Sequence, residues 1–147
     1  QGVFSARRLR LRYAGAMSAS SLAGAARRRG KAVIVSALFV FVGGACGAAL
    51  RACVCLWLPA RFPWAILLVN TAGSFLAGIF AACALSQVAA AFLLTGFCGG
   101  MSTYSSFALD TARLFARSKF LALLNVFLNG ACGLAGAGIG WSLGRLV

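Results

Sequence analysis

The chain has 147 residues, of which 62% are apolar, 10% are charged and none is His. Soluble domains carry about 45–50% apolar and about 25% charged residues, so this composition points to lipid. Fourteen Lys and Arg face a single acid, Asp110, and one carboxylate without His excludes paired-carboxylate hydrolysis, Ser-His-Asp chemistry and most zinc or iron sites. The chain is not read as an enzyme.

Residues 1–31 are rich in Arg, Ala, Ser and Gly and hold most of the positive charge, at Arg7, Arg8, Arg10, Arg12, Arg27, Arg28, Arg29 and Lys31. This composition predicts a disordered basic extension. No basic stripe with interleaved aromatics follows it, so it reads as a juxtamembrane flank and not as a nucleic-acid site. Met17 is the first methionine and the candidate native start; a leader resembling a transit peptide is the alternative.

Residues 32–147 form the second predicted region, with four apolar stretches near the ~20 residues that span a bilayer. The first runs from Ala32 to about Leu50 and is closed by Arg51. The second runs from Trp64 to Leu85, entered through Arg61-Phe62-Pro63-Trp64. The third runs from about Val88 past Gly99-Gly100 to about Phe115, and the fourth from Phe120 to about Leu143, before Arg145. Short linkers make consecutive helices antiparallel neighbours. The predicted fold class is an all-α membrane protein with four transmembrane helices, the third broken.

Small residues recur along these spans, at Gly43, Gly44 and Gly47 in the first, Gly73 and Gly78 in the second, and Gly130 to Gly144 in the fourth. They let helix backbones approach closely where hydrophobicity cannot drive association. Four short helices leave little interior of their own, so an oligomer is expected. The six cysteines (Cys46, Cys53, Cys55, Cys83, Cys98 and Cys132) lack a CxxC pair or a His partner and read as small apolar side chains packed between helices.

Charge counting leaves orientation balanced. From Met17 onward one membrane face carries Arg27, Arg28, Arg29, Lys31 and Arg145, and the other Arg51, Arg61, Arg113, Arg117 and Lys119. Such a tie under the positive-inside rule suits a protein that inserts both ways. Arg7 to Arg12 would break it.

Three polar constellations lie within the apolar spans, where a polar group is costly unless satisfied or functional. Asn70 sits mid-span in the second stretch and reads either as interhelical glue or as a donor to a ligand. The tract Gly96-Phe97-Cys98-Gly99-Gly100-Met101-Ser102-Thr103-Tyr104-Ser105-Ser106-Phe107 cannot make an uninterrupted lipid-facing helix. We expect a break at Gly99-Gly100 that frees backbone carbonyls, which membrane depth tolerates only where they are buried in protein or used by an ion; the plainer reading is a kinked packing helix. Tyr104 and Phe107 fall on one face of the resumed helix, with Asp110 one turn on. Asn125 and Asn129 stack on one face of the fourth helix. With Ser102, Thr103, Ser105 and Ser106 they form a path of mostly neutral donors, and Arg51 waits at a helix end. Such a path suits a small anion whose hydration is replaced donor by donor, helped by aromatic edges of positive potential.

On Gly43 to Arg51, Asn70-Thr71-Ala72-Gly73-Ser74-Phe75, Gly96 to Phe107 and, more weakly, Leu123 to Asn129, the sequence resembles the small dual-topology fluoride channels, also described as fluoride exporters. The resemblance covers all four helices from about residue 33 onward, and the tract around Gly99-Gly100 is its most specific part. It implies an antiparallel homodimer in the inner (plasma) membrane, with two fluoride pores and a structural Na+ held by backbone carbonyls at positions matching Gly99 and Ser102. Threonine is usual at the second, a difference to which a carbonyl ligand is indifferent. The family's paired phenylalanines match Tyr104 and Phe107, and its usual glutamate matches Asp110, one methylene shorter. Asn70, Ser105, Ser106, Asn125, Asn129 and Arg51 complete the implied pore. Fluoride, the bilayer and a second copy of the chain are the implied partners, and nucleic acid is not one. The rival readings are a small drug/proton antiporter, which wants a carboxylate that Ala32–Leu50 lacks, and a structural membrane subunit.

Overall fold

The computed structural model describes residues 2–58 and 62–146, with side chains described at Leu22 and from Gly24 onward. Arg61 and the side chains of Arg7, Arg8, Arg10 and Arg12 lie outside the described residues. Packing divides the chain into two units, residues 1–35 and residues 36–147.

The first unit is helical from Gly2, as part of α1 (Gly2–Trp57). For residues 1–31 charge predicts disorder and residue propensity predicts helix. Ala and Arg are among the strongest helix formers, and no proline occurs before position 59 to interrupt them. The same absence carries α1 past Arg51 to Trp57, so Arg51 lies inside the helix and not at its end. The helix stops just ahead of the residue before Pro59, where the pre-proline position disfavours helical backbone.

The second unit holds the bundle. After α1 come α2 (Trp64–Ala82), α3 (Gln87–Ala90), a π-helical segment (Ala91–Cys98), α4 (Gly99–Met101), α5 (Tyr104–Arg117) and α6 (Lys119–Gly144). Four helical stretches among the described residues are long and apolar enough to cross a membrane: Gly24–Trp57, Trp64–Ala82, Gln87–Arg117 and Lys119–Gly144. The protein is a multi-pass membrane protein of four spans, as its composition predicts. Large apolar residues such as Phe41, Leu123 and Leu134 are exposed, as expected of surfaces that meet lipid. The enclosed interior is correspondingly small, formed by Ala65, Ile66, Leu67, Val69, Cys98, Met101, Leu114 and Ala122.

Two backbone-to-backbone seams hold the spans together. On α1, a Cβ at Gly43 would strike the Phe92 carbonyl and one at Gly47 the Phe97 carbonyl, while a Cβ at Gly100 would strike the carbonyl of Gly44. Phe39 and Phe92 close this seam edge to face, with ring centroids 6.4 Å apart. On the α2–α6 seam, a Cβ at Gly78 would meet Ala137 O, one at Gly140 would meet Phe75 O, and one at Gly144 would lie 2.6 Å from Ile79 O. Close approach through small residues is the expected solution in lipid, where association rests on packing.

The ends of the second span follow local chemistry. It was expected to reach Leu85, but α2 stops at Ala82, because Cys83 is extended and Ser86 caps the next helix by accepting from Ala89 N–H at 3.3 Å. Of the cysteines, Cys98 is buried as expected, Cys55, Cys83 and Cys132 are half-buried, and Cys46 and Cys53 are exposed; all six are free thiols.

Candidate functional site

The third span does break, but three residues later than expected. Gly99 keeps helical backbone, as does α4 through Met101, whereas Ser102 and Thr103 are extended. Of the two glycines, Gly100 is used for packing, lying against the backbone of Gly44. The break belongs to Thr103, whose hydroxyl accepts from Ser106 N–H at 3.4 Å and caps α5. Helix-capping by threonine in an extended conformation is the usual way to start a helix.

Asn70 secures the break from α2. Its Oδ1 accepts the Thr103 N–H at 2.8 Å. In an unbroken helix that N–H would close onto the carbonyl of Gly99. Diverted to Asn70, it leaves Gly99 O without a backbone partner among the described residues, and Ser102 O accepts none either. Ser102 N–H still donates to Cys98 O at 3.0 Å, and the Ser102 hydroxyl donates to the same oxygen at 2.9 Å. A side chain added at Gly99 would meet open space.

From Asn70 a chain of amides runs through the bundle. Asn70 Nδ2 donates to Asn129 Oδ1 at 3.0 Å; Asn129 Nδ2 donates to both Asn125 Oδ1 and Asn125 O, each at 3.1 Å. Asn125 Nδ2 donates to Thr111 Oγ1 at 2.8 Å, and the Thr111 hydroxyl donates to Phe107 O at 2.7 Å. Asn125 is the most enclosed side chain of the group, at 1% exposure. Three sequence-predicted residues, Asn70, Asn125 and Asn129, are thus brought into one network that ties α2, α5 and α6 together. Thr111 was missed by sequence reasoning. Its signal was the register: it stands four residues after Phe107 on α5, where a hydroxyl reaches back to the i−4 carbonyl.

The aromatic pair also forms. Tyr104 and Phe107 lie 5.9 Å apart between ring centroids, tilted by 52°, on the shared face expected of their spacing. Tyr104 is 81% exposed and Phe107 is half-buried. Ser105 and Ser106 cluster on the Thr103 hydroxyl, at 3.1 Å and 3.4 Å. Asp110 lies apart from the amide chain and pairs with Arg113 at 3.6 Å. Together with Ser106, Arg113 and Arg117 it lines a cavity of about 450 Å³ between the start of α2, the end of α1 and α5. Arg51 has no polar contact with these groups and does not line that cavity.

The arrangement offers neutral N–H and O–H donors in a membrane-embedded span, with aromatic edges beside them and released carbonyls at the break, those of Gly99 and Ser102 among them. Among the described residues no group of His, Cys, Asp and Glu gathers to hold a metal ion. A site of this kind can desolvate and pass a small anion; it has no nucleophile–base pair for covalent chemistry.

The family profile described as CrcB-like protein, Camphor Resistance (CrcB), matches residues 38–141, which takes in every element of this network. Similar proteins include "Fluoride-specific ion channel FluC 1" of Thermobifida fusca, 43% identical over 74% of this chain and 99% of that protein. "Fluoride-specific ion channel FluC" of Parabacteroides distasonis is 40% identical over 76% of this chain and 94% of its own length. "Fluoride-specific ion channel FluC 2" of Bacillus subtilis is 43% identical over 74% and 86% respectively. With a bundle, a broken third span and an amide network all inside the matched region, this chain belongs to the CrcB-like protein family.

Proposed function

We propose that this protein is a passive, fluoride-specific ion channel that lowers cytoplasmic fluoride by letting F− leave through the plasma membrane. The observation that carries the reading is the neutral amide chain Asn70–Asn129–Asn125, beside the Tyr104–Phe107 pair. The likeness to relatives named as fluoride-specific ion channels supports it. Fluoride is small and strongly hydrated, so a path must offer several hydrogen-bond donors while holding no fixed cation tight enough to trap it. Conduction needs binding favourable enough to enter and weak enough to leave.

In this reading the donors are Asn70, Ser105, Ser106 and Asn125, Asn129 keeps the Asn70 and Asn125 amides in line, and the ring edges of Tyr104 and Phe107 add positive potential. The cavity with Arg113 and Arg117 gives the anion an aqueous approach, and Asp110 pairs with Arg113 there, moderating the cationic field. The working unit is an antiparallel pair of chains. The exposed, open surface at Gly99 favours a second copy, and so does the small interior of a single chain. A structural Na+ fits the released oxygens of Gly99 and Ser102, which are hard neutral ligands. Two carbonyls are too few for a cation alone, so the second copy supplies the rest. Bound there, the ion supplies positive charge that joins the two chains.

The test is fluoride release from liposomes containing the purified protein, with chloride release and proton-coupled uptake of organic cations measured alongside. Fluoride released without chloride supports the channel. Proton-dependent cation uptake without fluoride release refutes it.

A further inference from the structure

The amide chain has a direction, and its two ends set it. At one end Thr103 N–H can only donate, so it must face Asn70 Oδ1. At the other, Phe107 O can only accept, so it must receive the Thr111 hydroxyl. Between them every amide points the same way. Reversing Asn70 would set its Nδ2 against the Thr103 N–H, and each further reversal would set donor against donor. The consequence is that all three amide oxygens are occupied, while Asn70 and Asn125 each keep one N–H without an acceptor among the described residues. The network therefore spends its acceptors internally and leaves donors spare.

The three amides are not equally secured. Asn70 is held by a backbone N–H, and Asn129 donates to the backbone carbonyl of Asn125 as well as to its side chain. Asn125, buried to 1% exposure, has only side chains to hold its amide: Asn129 on the oxygen and Thr111 on the nitrogen. Thr111 is itself pinned by its bond to Phe107 O at 2.7 Å. We infer that Thr111 is a positioning residue for fluoride conduction: its hydroxyl, fixed by the Phe107 carbonyl, holds the buried Asn125 amide, and through it the chain to Asn129 and Asn70, in the direction that leaves an N–H of the half-buried Asn70 for the passing anion. This rests on the channel reading above. Without the hydroxyl, Asn125 Nδ2 is buried and unpaired, and the side chain turns to another acceptor.

The experiment is a double-mutant cycle read by initial fluoride efflux from liposomes, with gel filtration checking assembly. Thr111→Val, close in shape and lacking the hydroxyl, should slow efflux roughly tenfold, the scale of one buried hydrogen bond. Thr111→Ser keeps the hydroxyl and should conduct within about twofold of the parent, because the same bond remains possible. On an Asn125→Ala background, Thr111→Val should add less than about a further twofold, because a residue that acts through another is non-additive with it. Full efflux in Thr111→Val overturns the inference. So does a serine variant as slow as the valine one, or a valine effect undiminished on Asn125→Ala. Should the valine variant fail to elute as the parent does, the cycle is run with Thr111→Ala under the same criteria. A parent protein that releases no fluoride overturns the channel reading itself, and that outcome is told apart from the others by the parent alone.

Discussion

Replacing Asn70 by Asp tests the donor path at the point where the structure makes the substitution most informative. The two side chains are nearly isosteric, and one carboxylate oxygen can still accept the Thr103 N–H now bound at 2.8 Å. The other oxygen takes the place of Nδ2, 3.0 Å from Asn129 Oδ1, so a donor–acceptor contact becomes two facing acceptors. Losing that bond costs about 1–3 kcal/mol of stability. The larger effect falls on the anion. Two like charges about 4 Å apart repel by about 4 kcal/mol at an effective dielectric constant of 20. That is close to a 10³-fold fall in flux, at about 1.4 kcal/mol per decade. Asn70→Leu adds no charge but removes both the donors and the acceptor of the Thr103 N–H, so it should cost about 2 kcal/mol or more, roughly thirtyfold at least. Initial fluoride efflux is measured on both variants after gel filtration. Efflux in a well-assembled Asn70→Asp protein equal to the parent's refutes the placement of Asn70 on the path.

Phe107→Ile should abolish flux while leaving assembly intact, because an aliphatic side chain fills the space without the ring's positive edge; full efflux from this variant sinks the aromatic assignment. Tyr104→Phe should conduct at least as well as the parent in the same assay, since the tyrosine is exposed and its hydroxyl has no hydrogen bond among the described residues. Gly78→Val should abolish folding on the α2–α6 seam, where even a Cβ meets the Ala137 carbonyl, whereas Gly138→Val, which opens onto free space, should be mild. Thermal unfolding in detergent, followed by helical circular dichroism, distinguishes the two, and equal effects would contradict the seam. Gly99→Trp should impair assembly, while Ser102→Ala should not, because the serine hydroxyl only bonds back to Cys98 O and its carbonyl is the proposed sodium ligand; equal damage, or assembly indifferent to removing sodium, refutes the carbonyl site.

The spans were legible because lipid imposes length and composition directly: each apolar stretch had to supply about 20 residues. The glycine seams were legible for the same reason, although which glycine meets which carbonyl depends on helix register and was not. The break was placed wrongly because Gly99-Gly100 carries two incompatible signals. Adjacent glycines weaken a helix, yet Gly100 also permits the contact with Gly44 that keeps this one intact. The decisive residue was Thr103, whose capping role needs its partner Ser106 and whose N–H needs Asn70, 33 positions away. Asn125 and Asn129 could be paired from their four-residue spacing alone. Their connection to Asn70 and Thr111 crosses between helices, and periodicity within one helix cannot carry that information.

The open space beside Gly99 has a consequence for heredity that needs no purified protein. Glycines packed on a neighbouring backbone, such as Gly47 and Gly140, are intolerant of any side chain for reasons internal to one chain. Gly99 and Gly138 are alike within the chain, both facing emptiness, so a fitness map built on one chain alone would treat them as equally free to change. A cell that grows in fluoride by means of this protein would separate them. If two chains meet at the broken span, substitutions at Gly99 vanish from a surviving population while those at Gly138 accumulate. The allele frequencies at two otherwise equivalent glycines would then record a contact that neither position makes by itself.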